Sequence, residues 1–163
     1  MIENFSKAMD FIFFWEGYYS NNPLDPGKVT IWGLSEVWHP GEVKEMIGMD
    51  PITAKEYAKT IYAKDYWNPL DGNNLPAFLD IVLMDIAVRQ SVERAKHIQQ
   101  YAGSWPDAII LSLDYLDDSK NFKTLGAGWA KRLVSLRNYI VSNFKILEWD
   151  PKELILWQLE GHL

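Results

Sequence analysis

The run from Phe78 to Val88, Phe-Leu-Asp-Ile-Val-Leu-Met-Asp-Ile-Ala-Val, limits what this chain can become more than any other segment. Wound as a helix it is apolar on nearly every side, so it is assigned to a buried central helix that continues to about Tyr101 with one polar face. It falls short of the ~20 apolar residues that cross a bilayer, and Asp80 and Asp85 interrupt it, so no membrane insertion is expected. Inside a core a carboxylate needs a partner, and Asp85 has two candidates: Arg89, one helical turn further on, and Arg132. The other elements must wrap around this spine.

A chain of 163 residues suffices to bury roughly 70% of the surface it exposes when unfolded. With 48% hydrophobic and only 23% charged residues it is not a disordered chain. No repeat, low-complexity tract or Gly/Ser linker divides it, which points to one compact unit. A net charge of −6 without any Lys/Arg block argues against nucleic acid as a partner. The absence of cysteine excludes disulfides and thiolate zinc sites, and His39, His97 and His162 are too scattered for a ligand set, so neither metal nor cofactor is expected. The start, MIENFSKAMD, has no basic n-region or small-residue cleavage site, and synthesis in the cytoplasm without a signal peptide is the expectation.

Helical periodicity at Phe5, Ala8, Met9, Ile12 and Phe13 predicts an amphipathic helix from about Glu3 to Glu16, stopped by Gly17. Between Tyr18 and Gly33, turn residues and the β-formers Val29-Thr30-Ile31-Trp32 predict a hairpin or small sheet. Asp50-Pro51 reads as an N-cap with proline at the first helical position, opening a helix to about Tyr66 that Trp67-Asn68-Pro69 ends. Further helices are expected at about 107–116 and 128–144, and after Asp150-Pro151, which repeats the capping signal. The fold class is therefore mainly α with a minor β element.

The chemistry-bearing residues gather early. Glu16 ends the first helix inside Phe13-Phe14-Trp15-Glu16-Gly17-Tyr18-Tyr19, where an unpaired carboxylate would be desolvated and pushed toward the range of a proton donor. Asp25 follows nine positions later and Thr30 five after that, across the predicted hairpin. Glycosidic bonds need an acid for the leaving oxygen and a second carboxylate for water or the cationic centre, so two carboxylates in unlike surroundings suit that reaction. Aromatic residues make up 14% of the chain, eight of them Trp, and aromatic faces stack on sugar rings as well as filling cores.

The stretch from Trp15 to Leu34, WEGYYSNNPLDPGKVTIWGL, resembles the Glu-Gly-Gly-Tyr … Asp-Pro-Gly-Gly-x-Thr-x-x-Gly-Ile signature of glycoside hydrolase family 108, lysozyme-like N-acetylmuramidases found among phage endolysins and bacterial lysins. Tyr66-Trp67-Asn68-Pro69 is similar to the family's Tyr-Trp-x-Pro, Met84-Asp85-Ile86-Ala87-Val88 to its Phe-Asp-x-Ala-Val-Asn, and Gly128-Trp129-Ala130-Lys131-Arg132 to its Gly-Trp-x-x-Arg. The resemblance implies an α+β lysozyme-like fold with a catalytic region over 1–90 and a helical region over 91–163 like the family's peptidoglycan-binding part, packed into the same unit. It implies a peptidoglycan substrate, Glu16 as general acid, and Asp25 with Thr30 positioning water. It also implies work on the cell wall after release by a holin or a secretion apparatus.

Tyr18, Lys28, Ile31 and Arg89 depart from the family pattern. A lysozyme-derived protein that binds walls or builds a virion or secretion component without turnover is the alternative. Tyr19, Trp32, Tyr66 and Trp67 are candidate sugar-stacking residues, and Arg132 is a candidate partner for Glu16. The segment 151–160, with Leu154, Ile155, Leu156, Trp157 and Leu159 on more than one face, is a candidate for self-association or a protein partner.

Overall fold

The computed structural model describes residues 2–22, 27–117 and 127–144. Helix α1 (Ile2–Glu16) leads into an antiparallel sheet of β1 (Tyr19–Asn21), β2 (Val29–Ile31) and β3 (Leu34–Ser35), in that spatial order. The short α2 (Pro40–Met46) follows, then α3 (Pro51–Tyr62), whose last turn widens into a π turn at Ala63–Trp67. Helices α4 (Leu79–Arg89), α5 (Val92–Gln99), α6 (Trp105–Asp117) and α7 (Ala127–Phe144) complete the described architecture. This is the expected α+β arrangement, helical with one small sheet. The segment 151–160 lies outside the described residues.

Helix α4 is the spine. Every residue from Leu79 to Ala87 is buried, the two aspartates included, and α1, α5 and α6 pack around it. Asp80 is met by the Asn4 amide at 2.8 Å and by the Ile81 N–H at 2.8 Å. The expected continuation to Tyr101 is corrected: α4 stops at Arg89, and Ser91 begins a separate helix by accepting from the Arg94 N–H at 3.1 Å. A side-chain oxygen that satisfies an orphan N–H makes a new helix start as good locally as continuation of the old one.

The Asp50 signal is realised, since its carboxylate accepts from the Ile52 and Thr53 N–H groups at 3.0 and 3.1 Å. The helix it opens reaches the expected end only by loosening, with the Asn68 N–H returning to the Ala63 carbonyl at 2.8 Å. That extra residue in the turn sends Trp67 into the core and leaves Tyr66 half-buried beside Tyr62, their ring centres 5.4 Å apart. Helix α2, which no periodicity announced, starts at Pro40 without a side-chain cap. Residues from α1 through α7 share one continuous apolar core. Among the described residues no helix is long and apolar enough to cross a membrane.

Candidate active site

Gly17 terminates α1 in a left-handed conformation (φ +72°), its N–H bonded to the Phe13 carbonyl at 3.1 Å. The chain then runs out through β1 and returns on β2, with Tyr19 opposite Ile31, Ser20 opposite Thr30 and Asn21 opposite Val29. Trp32 and Gly33 join β2 to β3 as a two-residue turn with φ of +49° and +81°, the pattern of a type I′ hairpin. A side chain on Gly33 would strike the Tyr62 hydroxyl and come within 2.8 and 2.9 Å of Glu16 Cγ and Cβ. Only glycine lets this turn lie directly on the glutamate. The turn is pinned from both sides. Trp32 packs on Phe13 and Tyr18 and donates from its indole N–H to the Pro51 carbonyl at 3.3 Å, and the Tyr62 hydroxyl donates to the Trp32 carbonyl at 3.1 Å.

Glu16 opens into a cavity of about 390 Å³ walled by Trp15, Gly33, Tyr62, Tyr66, Val88, Arg89, Gly128, Trp129 and Arg132. Its carboxylate is paired, with the arginine that the sequence offered as a candidate partner. Arg132 on α7 donates from Nη1 to Glu16 Oε1 at 2.7 Å and from Nε to Asp85 Oδ1 at 2.9 Å, while Nη2 lies 2.8 Å from the same Asp85 oxygen. Arg89 donates from Nε to the other Asp85 oxygen at 2.8 Å. Two arginines and two carboxylates thus alternate in one chain, with Asp85 at 1% side-chain exposure, Arg89 at 4% and Glu16 at 26%. Asp85 lies buried inside this network, while Glu16 is partly open to the cavity and both arginines reach its wall.

Burial alone would push the Arg132 guanidinium down, but the carboxylates of Asp85 and Glu16 more than reverse this and its pKa is raised. Tyr62 is raised well above the phenol range, first by burial and then by the nearby Glu16 carboxylate, so it is a neutral hydrogen-bond donor. Tyr66 is raised for the same leading reason, with Asp65 and Glu16 adding to it. Among the described residues no three His, Asp or Glu side chains converge as a metal-ion site.

The sequence candidates divide. Glu16 and Tyr66 both line the cavity. Thr30 sits on β2 and Tyr19 on β1, neither of them on the cavity wall, and Tyr19 is exposed. Trp32 is half-buried beneath the hairpin turn and acts as its support. Trp67 is corrected as a stacking candidate: at 3% exposure it packs edge-on against Phe5 and donates to Asn73, so no ring face is open to a sugar. Asp25 lies outside the described residues. Tyr62, Gly33 and Trp129 are cavity residues that sequence reasoning did not assign to a site.

Residues 9–90, half of the chain, match the family described as Glycosyl hydrolase 108. The chain belongs to this family. Its fold is similar to the solved structure of SagA from Brucella abortus, at 25% sequence identity and a TM-score of 0.66, over 87% of this chain and 96% of that one. No curated protein matches the chain. The matched span ends at residue 90, yet the cavity at Glu16 is also walled by Arg132 and Trp129 of α7, beyond that span.

Proposed function

We propose that this glycosyl hydrolase 108 protein is a peptidoglycan hydrolase, a muramidase that cleaves the β-1,4 bond between N-acetylmuramic acid and N-acetylglucosamine. The observation that carries the reading is the partly open Glu16 carboxylate in a cavity, gripped by Arg132 through one oxygen only. In its protonated form Glu16 keeps Oε1 as the acceptor for Arg132 and offers a proton to the leaving glycosidic oxygen. As the proton departs, Arg132 stabilises the negative charge left behind. Asp25 and Thr30 direct the water that attacks the sugar carbon, as the family resemblance implies. Peptidoglycan lies outside the cytoplasm, so a holin or a secretion apparatus is the exit route that accompanies this role.

Digestion of purified peptidoglycan followed by borohydride reduction tests the reading. New reducing ends at muramic acid support it. Retained binding to the wall with no released muropeptides would instead support the lysozyme-derived binding or structural protein without turnover.

A further inference from the structure

The cavity at Glu16 continues into a second hollow of about 430 Å³, and Gly33, Tyr66 and Val88 wall both. The two form one cleft. Its far end is built from Ser35 at the end of β3, Trp38 and His39 in the turn before α2, Gln90 in the break between α4 and α5, and Glu93 in the first turn of α5. Trp38 is 82% exposed, more than any other large apolar side chain among those described. Its backbone is tied down, with the N–H groups of Trp38 and His39 both reaching the Ser35 carbonyl, at 3.1 and 2.8 Å. An aromatic platform held out on a fixed turn at the mouth of a cleft leaves a large apolar face in water unless a ligand covers it.

Polar groups lie beside it. The Gln90 side-chain amide has neither its oxygen nor its nitrogen hydrogen-bonded, and the Ser35 hydroxyl is likewise without a partner among the described residues. Buried polar atoms left unpaired are costly; these are covered in the empty cleft, and a turn of either side chain toward the hollow that both residues line brings them to ligand hydroxyl or amide groups and removes that cost. An apolar ring face beside neutral donors and acceptors fits a pyranose, whose C–H face stacks on indole while its rim hydroxyls bond. The charge of Glu93 disfavours the carboxylates of a stem peptide.

We propose that Trp38, with Gln90 and Ser35, forms a glycan subsite that binds an N-acetylated amino sugar further along the strand than the residue at Glu16. The proposal rests on the muramidase reading of Glu16 and extends it to chain length. The test is titration of full-length Glu16→Gln protein with peptide-free chito-oligosaccharides from three to six sugars. Affinity is expected to rise with length. Adding Trp38→Ala should remove about tenfold of that gain, and Trp38→Phe should restore most of it. A Glu16→Gln, Trp38→Ala double variant that keeps the parent's full length dependence overturns the proposal. So does free stem peptide that binds in a Trp38-dependent way. Failure of the muramidase reading is seen separately, as wild-type protein that releases no reducing ends from peptidoglycan.

Discussion

Arg132 links the site at the scale of single residues, because its guanidinium holds a buried carboxylate with one edge and the candidate acid with the other. Replacing it with Gln should lower turnover of peptidoglycan on the order of 100-fold through lost stabilisation of Glu16 charge. Arg132→Lys should recover part of that, as a steady-state comparison of kcat would reveal. Asp85→Ala leaves two guanidinium groups buried without their shared anion and should cost about 3–5 kcal/mol of stability, measurable by denaturant titration. Asp80 gives a prediction in pH. Burial raises its pKa above the ordinary 3.8 in spite of the Asn4 and Ile81 hydrogen bonds. The folded protein therefore binds this proton more tightly than the unfolded chain, and stability is lost as pH rises from about the ordinary value through the folded one. Asp80→Asn, which cannot ionise, should gain on the wild type over that window. A melting-temperature difference independent of pH between 3.5 and 7 would contradict the assignment.

Among the elements, the Trp32-Gly33 hairpin is the most exacting, since it presses backbone against the end of α1. Gly33→Ala must hold a side chain at φ +81° and also displace Tyr62 or Glu16, so it should lose ~1–2 kcal/mol from the backbone alone and activity beyond that. Thermal melts paired with a lysis assay separate the two effects. Elements governed by local chemistry were legible in sequence: Gly17 stops α1, Asp50 caps α3, and the apolar run of α4 is buried as expected. Elements decided by competition between similar local options were not. Ser91 starts a helix where continuation was expected, α3 accommodates one extra residue as a π turn, and α2 forms from a short segment without a side-chain cap. Trp67 and Trp38 illustrate the same limit for aromatics. Composition counts both as rings, and only packing decides that one fills the core and the other faces water.

On the scale of the whole molecule the site depends on chain closure. Glu16 and Arg132 are 116 positions apart, so no spacing rule joins them, although the Gly-Trp-Ala-Lys-Arg motif marks Arg132 as a residue to place. The described helices share one core, with Tyr139 on α7 donating to the Lys7 carbonyl of α1 at 3.1 Å. A fragment of residues 1–126 retains Glu16 but not Arg132 or Trp129 and should show no peptidoglycan hydrolysis at concentrations where the full chain is active. Turnover by that fragment would place the whole catalytic apparatus ahead of α7 and contradict the role given to Arg132. The most direct test of the account is the Glu16→Gln variant, which preserves side-chain size and an acceptor for Arg132 but has no proton to give. Reducing ends released from purified peptidoglycan should fall about 100- to 10,000-fold while the melting temperature stays within a few degrees of wild type. Wild-type rates of release from a normally folded Glu16→Gln protein would contradict the assignment of Glu16 as the acid.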